Sequence, residues 1–265
     1  VPELPEVETT AHRLEPDLVG RTISAVHLGW PRHTPEPDLL CSLLPGRRVT
    51  RIGRRGKFIV IGLDPPDRTL LIHLRMSGRL SIVPAGTEPD PYAHTVLTLD
   101  DGHELRFSDT RKFGQLYLPA DPNQILGKLG PEPLSAEFTP DWLVEALSGR
   151  RRAIKPLLLE QSFVAGLGNI YADEVLFRAR IDPRRPANSL ANREVQELHA
   201  AIRQVLREAI DHQGTSLDWV YPEGGMEDRL QVYGRADEPC VCCQTPIERI
   251  VLGQRGTYFC PSCQR

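Results

Sequence analysis

Apolar positions along the chain change their period twice. Leu4, Val7, Ala11 and Leu14 fall at helical spacing, so the amino-terminal segment is expected to be a helix pinned onto a core and ending near Gly20. Short runs with β-branched or alternating apolar residues follow, at 23–28, 49–52, 58–63, 69–74, 80–83, 95–99, 104–108 and 115–118. Turn-forming stretches separate them, among them Asp64-Pro65-Pro66-Asp67 and Asp100-Asp101-Gly102. Eight strands at this spacing predict an antiparallel sandwich or barrel-like domain over residues 1–118. Residues 119–140 are rich in proline, glycine and polar side chains and read as a linker. The period then becomes helical, with helices expected over 142–147, 154–160, 170–179 and 194–211. The last keeps Val195, Leu198, Ile202, Val205, Leu206 and Ala209 on one stripe. The fold class is therefore α+β, with an amino-terminal helix and β-sandwich, a helical region over 141–234 and a cysteine-bearing segment over 235–265.

Composition narrows this only slightly. The 265 residues are 40% hydrophobic and 25% charged, as in ordinary globular proteins, and no apolar run reaches the ~18 residues that cross a membrane. The net charge of −3 makes no case for a nucleic-acid partner by itself. Its distribution is less neutral. Arg47, Arg48, Arg51, Arg54, Arg55 and Lys57 lie in an acid-free stretch, and Arg150, Arg151, Arg152 and Lys155 form a second cluster. Such clusters are commonly solvated faces, yet two of them hint at local anion binding.

The cysteines change the picture more. Cys240-x-x-Cys243 and Cys260-x-x-Cys263 are separated by sixteen residues, the spacing of a four-cysteine zinc ribbon. Four thiolates leave no open position, so one structural zinc ion is expected, stapling a segment too poor in apolar residues to fold alone. Cys242 falls out of frame, and Cys41 is expected in the core. Thiols used this way suit a reducing, cytoplasmic setting.

Three further stretches carry candidate chemistry. The start, Val1-Pro2-Glu3-Leu4-Pro5-Glu6-Val7-Glu8, reads locally as a well-begun helix, with proline in the first turn and acids complementing the dipole. If Val1 is absent from the working protein, Pro2 instead offers a secondary amine beside two carboxylates, partly unprotonated at neutral pH. Gly166-Leu167-Gly168-Asn169-Ile170-Tyr171 places glycines before a helix that Asn169 is expected to cap. Ser108-Asp109-Thr110-Arg111-Lys112-Phe113-Gly114 sets a cation and an aromatic two apart between strands, and Met76 lies in another turn; both suit insertion into a base stack.

Together these motifs resemble the bacterial formamidopyrimidine-DNA glycosylases, in the group that also contains endonuclease VIII. Pro2 to Glu8 is similar to that family's amino terminus, Ser108 to Gly114 to its intercalation loop, and Gly166 to Tyr171 to its helix–two-turn–helix. Gln231-Val232-Tyr233-Gly234-Arg235 resembles its approach to the zinc finger, and the order is kept from end to end. The resemblance implies a bifunctional glycosylase and abasic-site lyase of base excision repair that binds damaged double-stranded DNA between two domains. It acts through a Schiff base on Pro2, then by β,δ-elimination. It implies further that Glu3 handles protons at the sugar, that Glu6 supports the site and that Lys57 lies at the flipped nucleotide's phosphate. Asn169, Arg255, His73 and Tyr233 match phosphate contacts, and Met76, Arg111 and Phe113 match the residues that fill the vacated stack. A monomer acting in the bacterial cytoplasm, at the nucleoid, with no membrane association, is expected.

Two departures bear on this. Val1 stands where the family has its initiator methionine. Read literally it blocks the Pro2 nitrogen, whereas an alternative start codon would install methionine and allow its removal. The segment from Thr215 to Leu230 is short and lacks the lysine usual in relatives, with Asp218 in that region, which bears on preference for 8-oxoguanine more than on the catalytic class. Specificity for oxidised pyrimidines, or a non-catalytic zinc-containing DNA-binding role, are the alternatives. Leu4-Pro5 and Arg111/Phe113 lean toward the purine branch.

Overall fold

In the computed structural model, which describes residues 2–216 and 224–265, apolar alternation becomes two four-stranded antiparallel sheets. The strands are β1 (Ile23–Leu28), β2 (Arg48–Arg55), β3 (Phe58–Asp64), β4 (Thr69–His73), β5 (Gly78–Pro84), β6 (Ala93–Leu99), β7 (His103–Asp109) and β8 (Gln115–Tyr117). One sheet has the order β1-β6-β7-β5 and the other β2-β3-β4-β8. Each of the eight expected runs is a strand, and the β-sandwich is present. Inward residues of both sheets, among them Ile59, Ile61, Ile72, Leu97, Leu105 and Phe107, share one core.

Helix α1 (Leu4–Leu18) closes this core and packs on β2. Its Leu4, Val7, Leu14 and Leu18 are buried, each worth about 2 kcal/mol relative to exposure. A second helix, α2 (Pro37–Leu43), packs by β1 and had no strong periodic signal. Cys41 sits on it, half-buried rather than in the core, because only Leu40 of that helix faces fully inward.

The contact pattern divides the described chain into one unit over residues 2–128 and another over 129–216 and 224–265. The first also contains the single turn α3 (Asn123–Leu126). The second contains α4 (Pro140–Ser148), α5 (Ile154–Leu158), α6 (Asn169–Arg178) and α7 (Asn192–Asp211), then the hairpin β9 (Glu248–Leu252) and β10 (Arg255–Phe259). Thr139 caps α4 by accepting the Trp142 N–H at 3.1 Å. The stripe on α7 is buried as expected. Phe138, before α4, is 2% exposed and stacks on His199, so this part of the proline-rich stretch is core.

Candidate active site and nucleic-acid interface

The start of α1 is built by its own acids. Pro2 to Glu6 are all buried. The Glu3 N–H donates to Glu6 Oε2 at 2.8 Å, one half of a capping box, so the second acid holds the backbone beside the first. Thr10 Oγ1 donates to the Glu6 carbonyl at 2.8 Å, one turn on. Glu8 carries this helix to the sheet, since Arg54 Nε donates to its Oε2 at 2.5 Å. Arg54 also donates to the Gly56 carbonyl at 3.1 Å. That carbonyl belongs to the two-residue β2–β3 turn, where Arg55 pairs with Phe58 and Gly56 takes φ +57 at the first central position. Positive φ at that position suits glycine, which carries no Cβ to clash. Through Arg54 the turn bearing Lys57 is tied to the helix bearing Glu3 and Glu6.

His73 ends β4 opposite Phe58, with ring centroids 4.7 Å apart. Its Nδ1 accepts the Arg75 N–H at 3.0 Å. Burial, with Arg75 and Lys57 nearby, lowers its pKa to about 3. The ring is therefore neutral at physiological pH with its proton on Nε2, a donor suited to a phosphate oxygen.

Two turns linked through Asp109 present exposed apolar side chains. Met76 lies in the β4–β5 turn and is 37% exposed; Phe113, in the β7–β8 turn, is 52% exposed. The Arg111 guanidinium lies 5.3 Å from the Phe113 ring centroid. Lys112 between them takes φ +59 and sends its ammonium over Trp30 at 4.4 Å. Asp109, 0% exposed, gathers both turns: Ser77 Oγ donates to its Oδ1, and the Gly114 N–H donates to its Oδ2 at 2.6 Å. Within this unit Pro2, Glu3, Glu6 and Lys57 gather about α1 and its hairpin, and Asp109 joins the turn of Met76 to the turn of Arg111 and Phe113. Asp109 itself stood in the noted loop, but nothing local distinguished its role.

The other unit holds the remaining residues. Asn169 is not the cap of α6; Gly168 occupies that position, and Asn169 Nδ2 donates to the Gly256 carbonyl at 3.0 Å. The side chain is drawn across to the β9–β10 hairpin rather than back to its own helix. Lys155, fully buried, donates to the same carbonyl at 2.9 Å and to Thr257 Oγ1 at 2.8 Å, and pairs with Asp173 Oδ1 at 2.7 Å. Burial still pushes the Asp173 carboxyl up to about 7 despite that ammonium. The β9–β10 turn has φ +57 at Gly253 and +63 at Gln254, which places exposed Arg255 at the start of β10. Glu174, next to Asp173, accepts the N–H groups of Gln231, Val232 and Tyr233 at 2.9–3.0 Å. The Tyr233 ring packs 5.1 Å from Tyr258. Asn169, Tyr233 and Arg255 are thus gathered around α6 and the hairpin.

Four members of the basic clusters are held in ion pairs. Arg47 is buried against Asp67, Arg54 serves Glu8, Arg152 pairs with Glu160, and Lys155 with Asp173. The flanks of the short segment before Leu230 are drawn together by Ser216 N–H donating to Glu227 Oε2 and Ser216 Oγ to the Gly224 carbonyl, both at 2.8 Å. Residues 217–223, with Asp218, lie outside the described residues, as does Val1.

Cys240, Cys243, Cys260 and Cys263 converge, with their Sγ atoms within 4.8 Å of one another. The pairs Cys240–Cys263 and Cys243–Cys260 lie at 3.9 and 3.5 Å. Thiolates ~2.3 Å from a tetrahedral zinc lie about 3.8 Å apart, so the donor set fits that ion and leaves it no open position. Cys242 points away and is exposed.

The family model described as the formamidopyrimidine-DNA glycosylase N-terminal domain matches residues 1–116. The glycosylase H2TH domain model matches 129–220, and a zinc finger found in FPG and IleRS matches 237–265. A formamidopyrimidine-DNA glycosylase of Chloroflexus aurantiacus is 50% identical over 100% of this chain and 98% of its own. The chain belongs to the formamidopyrimidine-DNA glycosylase family. The MutM (Fpg) protein of Thermus thermophilus superposes with a TM-score of 0.89 at 42% identity, over 99% of this chain and 98% of that one. A variant of the Lactococcus lactis enzyme in complex with Fapy-dG containing DNA gives 0.93 at 37% identity over 100% of both chains. The family's activity, DNA glycosylase with abasic-site lyase, and its DNA partner therefore apply to this member, along with one structural zinc. Among the described residues no helix is long and apolar enough to cross a membrane.

Proposed function

We propose that this glycosylase excises oxidised purines, formamidopyrimidines and 8-oxoguanine, through the Pro2 nitrogen once that nitrogen is a free amine. The observation that carries the reading is the buried run from Pro2 to Glu6, whose capping box sets two carboxylates about one proline. The damaged nucleotide leaves the stack, because its sugar carbon cannot be reached inside the duplex. The proline nitrogen bonds to C1′ and the glycosidic bond breaks, the base departing with the electron pair and a proton. Glu3 supplies a proton as the sugar ring opens, and the secondary amine is left as a cationic iminium. That cation is the electron sink for both eliminations. Loss of a C2′ proton expels the 3′ phosphate, loss of a C4′ proton expels the 5′ phosphate, and water then releases the sugar remnant and restores the amine.

Glu6 holds the backbone of Glu3, and Lys57 meets the phosphate of the flipped nucleotide. His73, Asn169, Tyr233 and Arg255 bind phosphates on either side, His73 as a neutral donor. Met76, Arg111 and Phe113 fill the vacated space, the arginine facing the orphaned base. Fapy-dG in the DNA bound to the Lactococcus relative supports the substrate class. The enzyme works as a monomer in the bacterial cytoplasm, at the nucleoid, without a membrane.

Borohydride trapping on an abasic duplex tests the mechanism. The adduct is expected to localise to Pro2 in a chain whose intact mass lacks Val1. A Pro2→Gly variant that traps undiminished, or a fully active chain retaining valine, would sink it. A substrate panel containing oxidised purines and oxidised pyrimidines reads the specificity in the same assay.

A further inference from the structure

Met76 stands on one turn, Arg111 and Phe113 on another, and separate mobile turns would make a poor wedge. Both turns end on the same pair of strands, where Gly78 of β5 faces Asp109 of β7. At that rung Ser77 Oγ donates to Asp109 Oδ1 and accepts the Arg111 N–H at 3.2 Å. Asp109 Oδ1 also takes the Arg111 N–H at 3.1 Å, while Oδ2 takes the Gly114 N–H at 2.6 Å. Ser77 is 7% and Asp109 0% exposed, so the network sits in low dielectric, where charge-assisted bonds are strong and costly to leave unmade.

We infer that Ser77 and Asp109 are positioning residues that lock the two turns into one rigid wedge, and so set how well the enzyme extrudes a damaged base from duplex DNA. The inference rests on the wedge reading of Met76, Arg111 and Phe113. An aspartate that only closed its own turn would need neither the hydroxyl from β5's side nor both of its oxygens. Here one oxygen serves each end of the 109–114 turn, and the hydroxyl carries the link to the turn of Met76. Insertion into a stack meets resistance from stacked bases, and a wedge that bends gives up part of that work. Single-stranded abasic DNA offers no stack to open.

The test compares excision from a lesion-containing duplex with lyase cleavage of a single-stranded abasic oligonucleotide, with 2-aminopurine beside the lesion to report unstacking. Ser77→Ala and Asp109→Asn are expected to lower the duplex-to-single-strand ratio about tenfold and to reduce the 2-aminopurine rise. Ser77→Thr, which keeps the hydroxyl, restores both. Adding Asp109→Asn to Phe113→Ala should cost little more, since the residues act as a unit. A parent-like ratio in Ser77→Ala and Asp109→Asn, or a proportional fall in both activities, overturns the inference. Phe113→Ala at parental levels on duplex removes the wedge reading and this inference with it. A defective Phe113→Ala beside unimpaired Ser77→Ala and Asp109→Asn removes the inference alone.

Discussion

His33 shows what a single buried side chain does to this protein. It is 0% exposed, its Nδ1 lies 3.5 Å from Thr95 Oγ1, and its ring packs on Phe107. Burial lowers its pKa to about 4; Asp109 opposes that shift, and His94 and Lys112 add to it. Above pH 6.5 the ring is neutral in both folded and unfolded chains. Between 6.5 and 4 only the unfolded chain takes up the proton, so folding stability from this site is lost as pH falls, by about 1.4 kcal/mol per pH unit. Denaturant midpoints measured from pH 7 to 4.5 should therefore fall less steeply for His33→Leu than for the parent. Parallel slopes would refute the assignment. None of this was legible in the sequence, where His33 is one polar residue in a proline-bounded stretch with no periodic signal.

At the scale of elements, the pattern was most readable where it was longest. The eight strands and the stripe of α7 follow directly from period, because one buried face fixes the alternation. Helix α2 was missed because seven residues beginning with proline and holding a single fully buried position carry almost no period. Asn169 was misread as a cap for a different reason: its partner, the Gly256 carbonyl, lies far along the chain. Asp109, Glu174 and Lys155 share that long-range character, since each is defined by donors or acceptors from other elements. The 109–114 turn also depends on what is absent from it. A Cβ at Gly114 would run into the Phe107 ring and approach Asp109 Oδ2 at 3.1 Å. Gly114→Ala should lower stability by roughly 1–3 kcal/mol and shift the turn. Urea unfolding reads the first effect and duplex excision the second.

For the whole molecule, four cysteines announced the zinc site and its fit, but not what the metal supports. The ribbon's core is small, joining Phe177, Val232, Cys240, Ile247 and Cys260. Removing a ligand leaves few apolar contacts to hold the hairpin, so Cys260→Ser should release zinc, measured by atomic absorption, and abolish DNA binding in a gel-shift titration. Retained affinity in metal-free protein would overturn the structural role. The family was legible in the order of motifs along the chain, because dispersed motifs constrain one another more than each constrains itself.

Adjacent acids on α6 have one more consequence. Asp173 accepts the Tyr258 N–H at 3.0 Å, while Glu174, the next residue, accepts three N–H groups from 231–233. With Lys155 and Asn169 reading the Gly256 carbonyl, the ribbon is keyed to its helix through backbone atoms and the Thr257 hydroxyl. It fits as a cut key fits a lock: a foreign ribbon with the same cysteines but no hydroxyl at 257 would leave the buried Lys155 ammonium with Asp173 and the 256 carbonyl, one hydrogen bond short. The cost of that unmade bond, about 1–3 kcal/mol, makes Thr257 a barrier to swapping the ribbon between lineages.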